Sequence, residues 1–219
     1  MPSSMSIERR KLLCAYGAKI VLTDASLGMK GAVEEAERIA STLKSAFIPS
    51  QFSNPANPMA HYLTTAPEIW NDTEGNIDIF VAGIGTGGTL SGVAKFLKEK
   101  NPNVTVVGVE PFSSPLISQG KAGAHKIQGI GANFVPDNYD ASFVDKIITV
   151  SERDAYISAQ RLAKNEGILC GISSGAALYA ATVLALKPEN NKKTIVALLP
   201  DTGDRYLSTE LFDEIEEIK

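Results

Sequence analysis

Gly83-Ile84-Gly85-Thr86-Gly87-Gly88-Thr89 joins two segments of opposite character. Before it runs Ile77-Asp78-Ile79-Phe80-Val81-Ala82, the near-continuous apolar stretch that a strand buried on both faces needs. After it, Leu90, Val93, Ala94 and Leu97 recur at helical spacing, with Lys95, Lys98, Glu99 and Lys100 on the other faces. A glycine-rich turn between strand and helix leaves backbone N–H groups beside the positive end of a helix dipole, a ready site for an anion. The glycines let the backbone approach closely, and the hydroxyls of Thr86 and Thr89 add donors that a tight turn alone does not require. The local reading is a phosphate cradle.

Three alternatives compete for this turn. Gly83, Gly85 and Gly88 satisfy the dinucleotide pattern G-x-G-x-x-G, and Glu110 ends the next apolar run where a ribose-binding acid belongs. A nucleotide-triphosphate P-loop is excluded, because Thr89 follows Gly88 directly and no Gly-Lys-Ser/Thr occurs. The third is a tight turn that binds nothing.

Composition narrows the field. A chain of 219 residues has room for one or two domains and a real core. Its net charge of −4 argues against nucleic acid as the main partner. No apolar stretch is long enough to span a bilayer. Met1 to Arg10 lacks the apolar core of a signal peptide, and Cys14 and Cys170 are too few for a disulfide framework, so a reducing cytoplasm is the expectation. No metal site is expected.

In chain order, Ser6 is the expected N-cap of a helix running to about Tyr16 and stopped by Gly17. Lys19 to Thr23 reads as a strand, and Ala32, Ala36, Ile39 and Ala40 stripe a second helix. Ala46 to Pro49 is a short strand candidate, Gln51 to Pro58 a structured loop, and Ala60 to Trp70 a helix. Val104 to Val109 is another buried strand; Phe112 to Tyr139 has no clear period, as functional loops often do not. Lys146 to Val150, Glu152 to Glu166, Ala176 to Leu186 and Thr194 to Leu199 read as strand, helix, helix and strand. The alternation implies an α/β fold, a mostly parallel twisted sheet with helices on both faces. The chain opens on a helix with no strand before it.

Gly171-Ile172-Ser173-Ser174-Gly175 matches the nucleophile elbow G-x-S-x-G. That fold orders its triad Ser, acid, His, and here both His61 and His125 precede Ser173, so a hydrolase fits poorly. A serine N-cap before an alanine-rich helix is the simpler reading, and a cofactor contact can coexist with it.

Taken together, Met1 to Arg10, Gln51-Phe52-Ser53-Asn54-Pro55-Ala56-Asn57-Pro58, Gly85 to Thr89, His125 to Gly131, Gly171 to Ala176 and Arg205-Tyr206-Leu207-Ser208 resemble the cysteine synthases (O-acetylserine sulfhydrylases). These belong to the tryptophan-synthase-β-like, fold type II, pyridoxal-phosphate enzymes. The resemblance covers essentially the whole chain. It implies that Gly85, Thr86, Gly87, Gly88 and Thr89 bind the ester of pyridoxal 5′-phosphate, that Ser173 hydrogen-bonds the pyridine nitrogen, and that Gln51 touches the substrate carboxylate. It also implies O-acetylserine and sulfide as substrates and a homodimer. The His125 to Gly131 loop resembles a mobile segment at the cleft mouth. Residues 1–52 are then the remaining part of a smaller substrate domain, and 53–219 the larger cofactor domain.

The sequence departs from the family in two places. The family anchors its cofactor on a lysine in an Asn-Pro-x-x-Ser-x-Lys-Asp-Arg segment and grips substrate with a Thr-Ser-Gly-Asn-Thr loop; neither occurs here. No catalytic lysine is therefore assigned, and the expectation is an N-terminally truncated chain, inactive by itself. Pro200-Asp201-Thr202-Gly203-Asp204-Arg205 stands where many cysteine synthases have Pro-Ser-x-Gly-Glu-Arg, which leaves a cystathionine β-synthase-like preference open. The rivals are a non-catalytic protein that keeps the cradle, with or without a groove for the serine acetyltransferase C-terminal tail, and a nicotinamide-dependent dehydrogenase.

Overall fold

A computed structural model describes residues 1–213. Eight helices and four strands follow one another as α1 (Ile7–Ala15), α2 (Gly28–Ser41), α3 (Ala56–Leu63), α4 (Thr65–Asp72), β1 (Ile79–Gly83), α5 (Gly88–Lys100), β2 (Thr105–Pro111), α6 (Leu116–Gln119), β3 (Lys146–Val150), α7 (Glu152–Glu166), α8 (Ile172–Ala185) and β4 (Ile195–Ala197) among the described residues. The strands form one parallel sheet in the order β3-β2-β1-β4. Val81 pairs with Val107 on one side and Ala197 on the other, so β1 is central.

The strand period of two divides the core. Ile79, Val81, Val107 and Val109 face Ala155, Ala159, Ile172, Ala176 and Ala180 from α7 and α8. Phe80, Ala82 and Val106 face Ala66, Leu90, Val93 and Leu97 from α4 and α5. Both sheet faces are therefore covered, which is why the sequence of β1 is apolar throughout. Each fully buried large side chain contributes about 1.5–3 kcal/mol relative to exposure.

The chain leaves β1 for β2 on one side and reaches β4 on the other. In open parallel sheets a crevice opens at such a reversal, at the carboxyl ends of the strands. The turn after β1 lies there.

Several expected elements differ. Lys19 to Thr23 forms no strand; only Thr23 bridges, to Pro2. Ala46 to Pro49 is irregular, with Phe47 85% exposed. Val21 and Thr23 bond to the backbone of Met1 and Ser3, a partner too short to make a strand, and Ala46 to Pro49 has no strand beside it. The expected helix from Ala60 starts earlier, at Ala56, and breaks at Thr64 (φ −123, ψ −71). Pro67 explains the break, since its ring would clash with the Leu63 carbonyl and it lacks the N–H that would bond it. Helix α8 begins at Ile172 and not Ala176, and its N-cap is Gly171, without a side-chain cap. The capping role expected of Ser173 or Ser174 is thus not theirs. Ser6 stands at the N-cap of α1, yet its hydroxyl makes no capping bond.

Candidate active site

The turn after β1 is held open from behind. Gly87 takes a left-handed conformation (φ 81, ψ −15) that a side chain rarely adopts, and caps α5. A Cβ on Gly85 would lie 2.3 Å from the Gly129 carbonyl oxygen, and one on Gly88 1.9 Å from Asn57 Oδ1. The glycines are needed because neighbouring backbone and side chains already occupy the space behind the turn. Among the described residues, the amides of Gly85, Thr86, Gly87 and Thr89 donate to no protein acceptor, and that of Gly88 makes only a 3.3 Å contact with Thr86 Oγ1. Successive unpartnered N–H groups in a turn of this kind form an anion-binding concavity, which the start of α5 reinforces. A phosphate monoester fits.

Both hydroxyls of the turn are gripped by α3. Asn57 Nδ2 donates to Thr86 Oγ1 at 2.9 Å and to the Gln51 carbonyl at 2.8 Å. One helical turn on, His61 Nε2 lies 3.1 Å from Thr89 Oγ1, while its Nδ1 lies 2.9 Å from Thr65 Oγ1. Half-burial holds the His61 pKa below the usual imidazole value. Helix α3 approaches α5 closely at Gly92, where a Cβ would meet the Pro58 carbonyl at 2.2 Å.

Gly129 connects the turn to Ser173. Its carbonyl abuts Gly85, and a Cβ on Gly129 would lie 2.9 Å from Ser173 Oγ. Ser173 is 3% exposed, in the first turn of α8. The segment 125–131 is tied down at Ile127 and Ile130, both buried, by His125 Nε2 against the Gly131 carbonyl (2.7 Å), and by Gly131 N donating to Ile84 O (3.0 Å).

Beneath Ser173 lies a polar hub. Ser174 Oγ donates to Asp201 Oδ1 at 3.1 Å, the Tyr206 hydroxyl donates to Asp201 Oδ2, and Arg9 Nη2 donates to the Tyr206 hydroxyl at 3.2 Å. Tyr206 is fully buried; burial first, and Asp201 second, push its pKa well up. The hub ties α1, α8 and the segment after β4 together.

The structure thus brings Gly85 to Thr89 and Ser173 to the two sides of Gly129. Gln51 is exposed and reaches the rim through its carbonyl, which accepts from Asn57 and, at 2.9 Å, from Asn138. Glu110 is not a ribose ligand. Its carboxylate accepts from Ile117 N (2.8 Å), Ser118 N (3.1 Å) and the Ser118 hydroxyl, and it is 2% exposed, so the dinucleotide reading fails. No lysine among the described residues is buried, and Lys98, the least exposed, pairs with Asp145 at 2.8 Å. The sequence reading missed Asn57, His61 and Gly129. The spacing of Asn57 and His61, four apart on one helix, was the available signal.

A buried-sheet fold with an amide-lined turn at its switch point, near a hydroxyl on another helix, is the arrangement that an enzyme with a phosphate-ester cofactor needs. The chain belongs to the pyridoxal-phosphate-dependent enzyme family, whose profile matches residues 1–201. Within that family it is similar to cysteine synthases. It is 51% identical to cysteine synthase A of Escherichia coli, over 98% of this chain and 69% of the relative. It is also 51% identical to the cysteine synthase of Buchnera aphidicola from Acyrthosiphon pisum, over 98% and 71%. The crystal structure of Entamoeba histolytica cysteine synthase superimposes with a TM-score of 0.91 at 46% identity, over 100% of this chain and 65% of that one. An O-acetylserine-dependent cystathionine β-synthase from Helicobacter pylori is similar too, with a TM-score of 0.91, 38% identity, and coverage of 97% and 69%. The chain therefore spans about two thirds of the length of these relatives.

Proposed function

We propose that this chain forms the phosphate-gripping part of a β-replacement enzyme that exchanges the acetate of O-acetylserine for sulfide, giving cysteine. The reading rests on one observation above others: the free amides of Gly85 to Thr89 and the Ser173 hydroxyl lie on the two sides of Gly129, at the sheet's switch point. Pyridoxal 5′-phosphate bound there would draw electron density from a substrate's α-carbon. The amides and threonine hydroxyls of the turn would hold the ester. Ser173 offers the ring nitrogen a hydroxyl; unlike a carboxylate, a hydroxyl does not hold that nitrogen protonated. A less cationic ring suits elimination and replacement better than transamination. Gln51, exposed beside the rim, would meet the substrate's carboxylate through its side-chain amide.

A second reading is favoured by the lysines. With none of the described lysines buried, this chain by itself would bind the ester without a covalent anchor. One experiment separates the readings. Incubate the chain with pyridoxal 5′-phosphate, assay sulfide-dependent consumption of O-acetylserine, then reduce with borohydride and map labelled lysines. Turnover with one uniquely labelled lysine supports an active chain; ester binding with no turnover and scattered labelling supports the binding-only reading.

The proposal extends to organisation. Residues 1–52 act as part of a smaller substrate domain and 53–219 as the cofactor domain, since both core clusters and all four strands lie within the latter. A homodimer in the cytoplasm, with the acetyltransferase tail as a partner, completes the reading. Exposed Tyr16 (78%) and Phe47 (85%) are in keeping with a further contact surface on the first part.

A further inference from the structure

The two threonines of the cradle are each held by a residue of α3, and the chemistry of the two holds differs. Asn57 presents an N–H to Thr86 Oγ1, and Gly88 N adds a second, weaker donation at 3.3 Å. With its oxygen accepting, Thr86 keeps its own proton free to point elsewhere. Thr89 has no such guarantee, because its partner is an imidazole that can accept or donate. If His61 Nε2 is bare, the Thr89 proton is spent on the ring, and only lone pairs remain for an anion. If Nε2 carries the proton, Thr89 accepts and its hydroxyl proton is released toward the cradle. Thr65 allows the second arrangement, since its hydroxyl can donate to a bare Nδ1 at 2.9 Å.

We propose that His61 is a positioning residue for the phosphate cradle: in the ester-loaded protein it is the neutral Nε2–H tautomer, and the relay Thr65–His61–Thr89 turns the Thr89 proton onto the ester. This deepens the assignment of the Gly85 to Thr89 turn to a phosphate ester and rests on it. The relay runs from α4 through α3 into the first turn of α5, so one proton's position on a half-buried ring sets the donor count of the site. His61 does not touch the ester; it acts through Thr89.

The test uses the full chain labelled with 15N-histidine, with pyridoxal 5′-phosphate and separately inorganic phosphate as probes. Protonated and bare ring nitrogens resonate far apart, and with only two histidines in the chain, a His61→Gln variant assigns the signals. The expected result is a His61 ring protonated on Nε2 once either probe is bound. Gln can also donate to Thr89, so His61→Gln should bind the cofactor within about threefold of wild type, while His61→Leu should weaken it about tenfold or more. A loaded protein with the proton on Nδ1, or His61→Leu binding as tightly as wild type, overturns the proposal. If neither probe binds or perturbs wild-type protein, the cradle assignment itself falls, an outcome distinct from both.

Discussion

The side-chain amide of Asn57 reaches across 29 residues of chain to donate to the Thr86 hydroxyl at 2.9 Å, and its Oδ1 fills the space that a side chain on Gly88 would need. One residue thus orients a donor of the phosphate turn and closes the turn's back wall. It also binds the Gln51 carbonyl, so the rim and the floor of the site share a single support.

Removing that support tests how much the turn depends on it. Asn57→Ala should weaken binding of pyridoxal 5′-phosphate about tenfold, the loss expected for one hydrogen bond serving a charged ligand. Titration followed by cofactor absorbance measures it, and unchanged affinity would show that the turn holds its shape alone.

Tyr206 gives a stability test remote from the ester. It is fully buried, and its hydroxyl is the donor to Asp201 Oδ2 and the acceptor for Arg9. Tyr206→Phe leaves a carboxylate oxygen without that donor and should cost about 1–3 kcal/mol in chemical denaturation. A variant within a few tenths of a kcal/mol of wild type would contradict the hub's role.

The pH dependence of stability follows from His61. Burial lowers its folded pKa below the ordinary value of 6.5. As pH falls through 6.5 the unfolded chain takes up a proton that the folded chain does not, so folding loses stability down to the folded pKa and no further. Above 6.5 this residue contributes no pH dependence. Denaturation midpoints from pH 7.5 to 5 should therefore fall more for wild type than for His61→Gln; parallel curves would refute the burial argument.

The two cysteines should differ in reactivity. Cys14 is exposed, whereas Cys170 is buried, and burial with nearby Asp201 pushes its thiol up to about 11. The thiolate is the reactive form. One rapid equivalent of thiol reagent at pH 8 is expected for the native chain and two after denaturation; two rapid equivalents in the native chain would mean that the region beneath Ser173 opens.

Much of this architecture was legible in the sequence because it depends on local pattern. The apolar run of β1, the stripe of α5 and the helix from Glu152 to Glu166 each state their own structure, and the glycine turn falls between strand and helix as its sequence implies. What was illegible depends on neighbours. Lys19 to Thr23 has strand composition but no strand beside it. Glu110 occupies the place of a ribose ligand, and only the fold of Pro115 to Gln119 around its carboxylate reveals a capping role. The parts played by Asn57, His61 and Gly129 exist only because α3 and the 125–131 segment pack onto the turn from distant points in the chain. Pro67 was the exception, a local signal for the break at Thr64.

The central claim is that the Gly85 to Thr89 turn grips the phosphate of the cofactor, and it is tested most directly by comparing pyridoxine 5′-phosphate with pyridoxine. Neither has an aldehyde, so lysine chemistry cannot mimic binding. Calorimetric titration should show the ester binding and the free alcohol not, with the ester's binding abolished in Gly85→Ala, whose methyl would lie 2.3 Å from the Gly129 carbonyl oxygen. Equal affinity for ester and alcohol, or undiminished ester binding in a folded Gly85→Ala, would contradict the account.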